Sequence, residues 1–376
     1  MLIILKRIAR KMRKLFYQLL DAFGYGVCGV LRFLRIIPRI PEFDKNSIKK
    51  ILIIRNDRIG DMILSTPAIR AVRQGFPNAQ IHLLASRYTK DLVTHNPNIT
   101  KILIEGDGKI SHDYDLAIAL NPGLAQNRLL WQSGARYRVG FTGWGGGFFL
   151  THRVTDDREK RIRHEVESAL ELASLVGCST ENKSLDISIT NEGEAFAEGF
   201  LSENNLKPAD LVIVIHPGAR QKYIRWRKEG FAEVADRLIK ENNTKVILMG
   251  SKDEEGLVKE VISLMKDKPL VAIGLKLTEL VSLIKRCGLF IGNSTGPMHI
   301  AAALKVPVVA IFGNIHPLDS YQEWGPWGEG NIVVSKNLNC LHCHPGECRS
   351  FDCMRLITAE DVLGAAKKHT ERHGFR

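Results

Sequence analysis

An acidic residue directly after a predicted strand is the first candidate for chemistry in this sequence of 376 residues. The apolar run Ile51–Ile54 indicates a buried strand, and Gly60 and Asp61 follow it where a helix is expected to begin. Gly60 permits a tight turn, and Pro67 suits the first turn of the helix. A carboxylate at this place either caps the helix or acts as a general base, and the spacing by itself favours the cap.

A second strand-to-helix turn lies within Ile291–Ala303 and is rich in hydroxyl and glycine residues. Free N–H groups at a helix start, together with hydroxyls, form an anion site that suits a diphosphate. The alternative is an ordinary capped helix, in which the histidine is a buried, hydrogen-bonded residue. The candidate residues of this turn are Ser294, Thr295, Gly296, Pro297 and His299.

Two further loops follow predicted strands. The loop His216–Trp226 carries the cations Arg220, Lys222 and Arg225, which either neutralise a departing phosphate or form a solvated surface. The loop after the strand Lys245–Met249 carries Glu254, whose carboxylate could reach a ribose hydroxyl. Neither loop by itself is enough to indicate a ligand-binding site.

Four cysteines fall within fourteen residues near the end of the chain: Cys340, Cys343, Cys348 and Cys353. They provide enough soft ligands for a structural zinc site, although the loops between them are short. Reduced or disulfide-paired cysteines that staple the loop are the alternative. In either case the cluster is expected to order the loop after Trp327 rather than to perform chemistry. The other three cysteines are isolated, which excludes a secreted disulfide scaffold and favours a reducing cytosol.

The elements that must position these loops alternate between short apolar strands and helical segments. This pattern predicts an α/β fold with two doubly wound domains and a cleft between the carboxyl ends of their sheets. The polar stretch after residue 178 places the domain boundary near 190–210. The predicted division is an extension at 1–45, an N-terminal domain at 46–200 and a C-terminal domain at 201–376.

The net charge of +12 is concentrated at the start of the chain. Residues 1–50 contain twelve Lys and Arg against three acidic residues, which leaves only +3 for the other 326 residues. A basic charge spread over the whole surface would indicate nucleic acid, and this distribution does not. We therefore expect no nucleic-acid partner.

The basic extension is also amphipathic. Its apolar residues recur at helical spacing, and the apolar segment 23–37 is too interrupted by Gly and Arg to span a bilayer. We predict a cytoplasmic protein whose extension lies peripherally on an anionic inner-membrane surface. A cleaved signal peptide, or a basic arm that packs on its own domain, are the alternatives. The residues that carry the pattern are Ile4, Ile8, Met12, Leu15 and Leu19.

Four motifs in order carry a resemblance to a known family from Lys50 to Leu363. They are the stretch Ile51–Asp61, the pair His164 and Glu167 with two residues between them, His216-Pro-Gly-Ala, and Asn293-Ser-Thr-Gly-Pro-Met-His followed by the alanines 301–303. The sequence resembles glycosyltransferase family 9, the heptosyltransferases of lipopolysaccharide core assembly.

The resemblance implies a GT-B fold of two Rossmann-like domains. It implies transfer of a heptose, with inversion, from ADP-heptose bound by the C-terminal domain to a glycolipid acceptor bound by the N-terminal domain. In this interpretation Asp61 is the catalytic base, Thr295 and Gly296 hold the diphosphate, and Glu254 contacts the ribose. Catalysis requires no metal. The remaining implied contacts are Gly218 for the donor and Gly60, His164 and Glu167 for the acceptor.

Two alternatives stay open at this stage. One is a membrane-associated nucleotide-sugar-binding protein without turnover. The other is a nucleotide-sugar epimerase of the GT-B fold, which would change the configuration of the sugar and transfer nothing to an acceptor.

Overall fold

The computed structural model describes residues 2–35, 42–158, 162–242, 244–313, 319–338, 340, 348 and 350–372. The chain divides into two compact units, Met1–Lys183 and Ser184–Arg376. Each unit contains one parallel sheet with helices around it, so the predicted α/β fold is confirmed.

The first unit begins with a long helix, and its described strands form a six-stranded parallel sheet in the order β3-β2-β1-β4-β5-β6. Its helices are α1 (Leu2–Phe33), α2 (Ile59–Leu64), α3 (Thr66–Gly75), α4 (Leu124–Gln132) and α5 (Glu165–Ser174). Its strands are β1 (Lys50–Arg55), β2 (Gln80–Ala85), β3 (Lys101–Ile104), β4 (Leu116–Ala119), β5 (Tyr137–Thr142) and β6 (His152–Thr155).

The second unit repeats this topology, since its described strands are ordered β12-β11-β10-β7-β8-β9. Its helices are α6 (Asn191–Glu203), α7 (Lys228–Asn242), α8 (Glu255–Leu264), α9 (Leu277–Lys285), α10 (Gly296–Ala303), α11 (Tyr321–Trp324), α12 (Asp352–Arg355) and α13 (Ala359–Arg372). Its strands are β7 (Val212–His216), β8 (Lys245–Gly250), β9 (Leu270–Ile273), β10 (Leu289–Asn293), β11 (Val308–Phe312) and β12 (Ile332–Ser335).

The central strands are covered on both faces, which explains their continuous apolar runs. Ile51–Ile54 of β1 and Ile213–Ile215 of β7 are fully buried. The short apolar runs of the sequence form β1–β4 and β7–β11, whereas β5, β6 and β12 were not among the predicted strands. These three lie at or next to sheet edges, where short strands with polar or glycine residues give a weak pattern.

The division between the units falls at Lys183 and Ser184, ahead of the predicted boundary at residue 200. The reason is α6, whose Gly193 lies against Thr278 and Ser282 of α9. A side chain at residue 193 would collide with the carbonyl of Thr278. The helix therefore belongs to the second unit, although it stands within the stretch that reads as a polar linker.

The basic extension forms α1, which continues as one helix through Gly24, Gly26 and Gly29. One face of α1 packs on the rest of the first unit. This contact is the one expected from the alternative in which the basic arm packs on its own domain. Gly24 lies against the ring of Phe148, where a larger residue would collide. Among the described helices, none combines the length and the apolar character needed to cross a membrane.

Candidate active site

Both groups of candidate residues lie where the strand order of a doubly wound sheet reverses. In the first unit this point lies between β1 and β4, and in the second between β7 and β10. Ligands of such folds bind outside the carboxyl ends of the strands at this point. The loops after β1 and β4 and those after β7 and β10 are therefore the places in each unit to search for chemistry.

Arg55, the last residue of β1, is the centre of a buried ionic cluster in the first unit. Its guanidinium lies 2.8 Å from a Glu165 carboxylate oxygen, 3.2 Å from Asp61 and 3.2 Å from Asp57. It also donates to the carbonyl of Leu120 after β4, at 2.7 Å. The side chain of Arg55 is only 1% exposed, so three carboxylates and one carbonyl surround a cation that water hardly reaches.

The charges of this cluster determine its protonation. Burial lowers the pKa of Arg55, but the charges of the carboxylates of Asp57, Glu165 and Asp61 outweigh burial and raise the pKa above its ordinary value. Arg55 therefore remains a cation. Burial raises the pKa of Asp57 to about 6, with the nearby charge of Asp61 adding to the effect and Arg55 opposing it. Arg55 therefore holds the three carboxylates of the cluster together, but its single charge does not neutralise all of their negative charge.

A second arginine extends the cluster away from the strand. Arg158 donates to Glu165 at 3.1 Å and to both carboxylate oxygens of Asp156 at 2.8 Å. Asp156 also accepts from the indole N–H of Trp144. Burial raises the pKa of Asp156, but the hydrogen bonds and charge of Arg158 and the bond from Trp144 outweigh it and lower that pKa overall. Glu165 thus bridges two arginines and fixes the position of Arg55.

Asp61 lies inside this cluster and does not cap a helix. The N-cap position of α2 is Arg58, no side chain caps the helix, and Asp61 stands in its first turn. Its carboxylate is held by Arg55, and its side chain is 16% exposed. The structure thus replaces the cap interpretation, which spacing alone favoured, with an oriented and accessible carboxylate. Gly60 is buried in the same short helix.

The two other residues implied for the acceptor have local roles in the structure. His164 is the N-cap of α5, and its ring nitrogen accepts from the N–H of Val166 at 3.2 Å. Glu167 pairs with Lys183 at 2.9 Å on the surface. The described contacts of Glu167 do not include Arg55, and Glu165 takes that place. Glu165, Arg158 and Arg55 were not among the predicted site residues, although an arginine that closes the apolar run of β1 was a usable signal.

In the second unit, His216 connects the two donor motifs. The two ring nitrogens of His216 lie 3.3 Å from the Glu254 carboxylate and 3.4 Å from the Thr295 hydroxyl. Gly218 permits this approach, because a side chain there would collide with the Glu254 carboxylate. The fold therefore brings together Gly218, Glu254 and Thr295, which stand far apart in the sequence, and adds His216 to the predicted set.

Asn293, the last residue of β10, organises the loop that follows β7. Its amide group donates to the carbonyls of Pro217 and Gly218, at 2.9 and 3.1 Å, and accepts from the backbone N–H of Trp226 at 2.9 Å. The side chain is completely buried. One amide thus fixes both ends of the loop that carries the cations, although Asn293 was not among the predicted site residues.

Glu254 remains ionised under most conditions. Burial raises its pKa, but the hydrogen bond and charge of His216 and two hydrogen bonds from Ser251 outweigh burial and bring the pKa to about 2. Ser251 and Glu254 form a capping box at the start of the helical turn 252–254. An ionised carboxylate with one exposed side is a good acceptor for hydroxyl groups of a ligand.

The start of α10 has the features of an anion site. Thr295 is its N-cap residue, but its side chain makes no capping hydrogen bond, and the helix begins at Gly296 and Pro297. Residues 294–297 are half-buried, whereas His299 is 4% exposed inside the helix. Pro297 has no N–H, and the N–H of Met298 donates to the carbonyl of Thr295 at 3.1 Å, so the N–H of Gly296 and the hydroxyl of Thr295 are the groups of this half-buried helix start that could meet an anion. His299 lies in the core below them and not at this surface.

The three predicted cations differ in exposure and in hydrogen bonding. Arg220 and Lys222 are exposed, whereas Arg225 is half-buried and donates to the carbonyl of Ala219 at 2.7 Å. Ile224 closes the short helical turn 222–224. Arg220 and Lys222 are therefore the cations that can move to a ligand, and Arg225 supports the loop.

The cysteine cluster is only partly described. Cys340 and Cys348 are exposed and Cys353 is half-buried, while Cys343 lies outside the described residues. Among the residues that the structure does describe, no three His, Cys, Asp or Glu side chains are placed to hold a metal ion. The zinc hypothesis thus stays a prediction.

Comparison with known proteins gives one family. The model of "Glycosyltransferase family 9 (heptosyltransferase)" matches residues 110–353. Lipopolysaccharide heptosyltransferase 3 of Escherichia coli is 27% identical over 343 residues, which cover 82% of this chain and 94% of that protein. Lipooligosaccharide heptosyltransferase 2 of Campylobacter jejuni is 26% identical over 324 residues, covering 82% and 96%.

Solved structures agree with the fold. A family 9 glycosyltransferase of Veillonella parvula superposes with a TM-score of 0.77 at 25% identity, covering 89% of this chain and 100% of that one. The Escherichia coli ADP-heptose lipopolysaccharide heptosyltransferase II superposes with a TM-score of 0.72 at 22% identity, covering 86% and 99%. The two-sheet architecture is therefore the GT-B fold of these enzymes.

Proposed function

This chain belongs to glycosyltransferase family 9, and we propose that it transfers a heptose from ADP-heptose to a lipopolysaccharide-core or related glycolipid acceptor, with inversion at the anomeric carbon. Three of the proteins compared above are named as lipopolysaccharide or lipooligosaccharide heptosyltransferases, and one of these names includes ADP-heptose. These names support the sugar and the acceptor class.

The observation that carries the mechanism is the orientation of Asp61 by Arg55. The carboxylate lies 3.2 Å from a buried guanidinium and keeps an accessible side. In the proposed reaction an acceptor hydroxyl donates its proton to Asp61 while its oxygen attacks the anomeric carbon. The bond from that carbon to the diphosphate breaks, and the leaving ADP takes the electron pair. Direct attack from the opposite face inverts the configuration.

The second unit supplies the donor site in this proposal. The N–H of Gly296 at the start of α10 and the hydroxyl of Thr295 bind the diphosphate, and Glu254 accepts from the ribose hydroxyls. Arg220 and Lys222 are exposed and add positive charge as the diphosphate leaves. The chain's own donors and cations thus serve the leaving group, and the proposed reaction uses no metal or cofactor.

A structural zinc at Cys340, Cys343, Cys348 and Cys353 stays a separate proposal. Reduced or disulfide-paired cysteines are the alternative. Elemental analysis of protein purified without a metal-affinity tag separates them: about one equivalent of zinc supports the site. Freely titrating thiols without zinc contradict it.

The test of the proposed reaction measures both products. Purified protein is incubated with ADP-heptose and with lipid acceptors that end before or after each core heptose. Release of ADP should accompany a glycolipid that is heavier by one heptose residue, and NMR should show the inverted anomeric configuration.

Two results would contradict the proposal. ADP-heptose recovered with a changed sugar configuration and no heavier glycolipid would indicate an epimerase. Tight binding of ADP-heptose without any product would indicate a binding protein. Mass spectrometry of glycolipids from a deletion strain gives an independent answer, since the missing mass identifies the transferred sugar.

A further inference from the structure

Helix α1 has two faces of opposite character, and one of them is fastened to the first unit. Asp21 accepts from the backbone N–H of Gly147 at 2.8 Å, and the ring of Tyr25 lies 4.5 Å below the guanidinium of Arg153. Tyr17 lies beside Gly145 of the same loop. These contacts come from one side of the helix, so its orientation about its own axis is fixed.

Asp21 makes this attachment specific. It is 7% exposed, and its carboxylate faces a turn of backbone N–H groups that belong to Gly143, Gly145, Gly146 and Gly147. Three of these glycines have positive φ, at +98°, +82° and +75° for residues 143, 145 and 146. The turn is thus shaped to present its amides to one carboxylate, and no neighbouring register of α1 places an acid there.

The opposite face of α1 is apolar and uncovered. Its side chains recur at spacings of three, four or seven residues and lie within an arc of roughly 120° on a helical projection. Phe23 is 72% exposed and Phe33 is 86% exposed. We call this face the α1 stripe, and it comprises Met12, Phe16, Leu19, Phe23, Val30 and Phe33.

The charges beside the α1 stripe are all positive. Lys11 and Arg13 are exposed and lie on either side of Met12, about 100° away from it in each direction. Asp21 is the one acidic residue between residues 2 and 33, and it is buried against the glycine turn. The surface that α1 offers is therefore an apolar stripe with cationic edges.

We propose that α1 binds the first unit to an anionic membrane surface, with the α1 stripe at the boundary of the acyl chains and Lys11 and Arg13 on the lipid phosphates. A second copy of the chain would bring equally basic edges together, and the charges would repel. A bilayer with anionic lipids accepts both features at once. Because the attachment at Asp21 fixes the helix, the membrane would meet the same side of the first unit in every molecule.

The test uses the full-length chain and two kinds of vesicle, one of phosphatidylcholine alone and one of phosphatidylcholine and phosphatidylglycerol in equal parts. Wild type should co-sediment with the anionic vesicles. The double variant Leu19→Ser with Phe23→Ser should lower the partition coefficient at least about tenfold, because two large apolar side chains no longer enter the lipid. Lys11→Gln with Arg13→Gln should lower binding to the anionic vesicles about fivefold for each charge removed.

The matched control is Leu264→Ser with Val271→Ser. Both residues are apolar and more than 40% exposed in the second unit, so replacing two exposed apolar side chains outside α1 should leave vesicle binding unchanged. A further variant, Phe23→Trp, keeps the stripe apolar. The fluorescence of the added tryptophan should shift to the blue when anionic vesicles are added.

Three results would overturn the proposal. The first is that wild type does not sediment with anionic vesicles. The second is that the double variant Leu19→Ser with Phe23→Ser binds vesicles as well as wild type does. The third is that wild type binds no vesicles but forms a dimer, and that this double variant is a monomer. None of these measurements depends on transfer activity, so the proposal stands or fails independently of the proposed reaction.

Discussion

The switch points of the two sheets share one topology and carry opposite chemistry. In the first unit, Arg55 gathers the carboxylates of Asp57, Asp61 and Glu165 in a buried ionic cluster. In the second unit, Asn293 ties down the loop after β7 with three hydrogen bonds to the backbone.

This difference follows from what each place has to offer a ligand. A proton acceptor must be a side chain, and a buried carboxylate needs a cation to hold it, so the first unit accumulates charged pairs. A diphosphate is already charged, and backbone N–H groups at a helix start receive it without any buried charge. The same strand order thus supports a base in one unit and an anion site in the other. We expect substitutions in the two units to produce different kinds of loss.

The largest expected effect is at Asp61. Asp61→Asn removes the proton acceptor and keeps the shape of the side chain, so transfer at saturating donor and acceptor should fall about 10²–10⁴-fold. Donor affinity should stay at the wild-type value, because Asp61 belongs to the first unit. Rates comparable to wild type would show that another group, such as Asp57, takes the proton.

The second test compares two glutamates on one helix. Glu165 bridges Arg55 and Arg158 in the core, whereas Glu167 pairs with Lys183 at the surface. Glu165→Gln leaves buried cations with less compensation and should lower the free energy of unfolding by about 3 kcal/mol or more.

Its matched control, Glu167→Gln, should cost less than about 1 kcal/mol, because its ion pair is screened by solvent. Chemical denaturation of both variants measures the difference. Equal losses would mean that the buried cluster does not stabilise the first unit, and the contrast between the two switch points would lose its energetic basis.

In the second unit the expected loss concerns binding. Thr295→Val removes one hydroxyl from the start of α10 and should weaken binding of ADP by about 1.5–3 kcal/mol, the range for a hydrogen bond to a charged group. Calorimetry with Asp61→Asn as the control separates the two units. If Thr295→Val binds ADP as wild type does, the diphosphate lies elsewhere.

The smallest effect is the acid dependence of Glu254. Its pKa is about 2 in the folded chain against an ordinary value of 4.5, so the ionised form stabilises the second unit above pH 4.5. That stabilisation is lost as the pH falls from 4.5 toward 2. The difference in unfolding free energy between wild type and Glu254→Gln should therefore shrink over this window. A difference that does not change with pH would show that neither the bond to His216 nor those from Ser251 depend on the charge of Glu254.

The strands could be predicted from the sequence because a parallel strand buried on both faces must be apolar throughout. Ile51–Ile54 and Leu289–Ile291 are continuous apolar runs, and the loops at their ends then identify the places for chemistry. Edge strands such as β6 do not face this requirement and leave little pattern. Local composition also misled at α6, since a polar helix that packs by small residues reads as a linker.

The contacts within each site were decided only by the tertiary structure. Local spacing favoured a cap for Asp61, and the 110 positions that separate Arg55 from Glu165 conceal their ion pair. His216 joins Glu254 to Thr295 because three parallel strands end side by side, and their spacing in the sequence carries no trace of this. The sequence by itself determined the alternation of elements and the basic, amphipathic character of α1, since both are periodic along the chain. The partner of each charged side chain depends on distances in space, so only the folded chain could assign it.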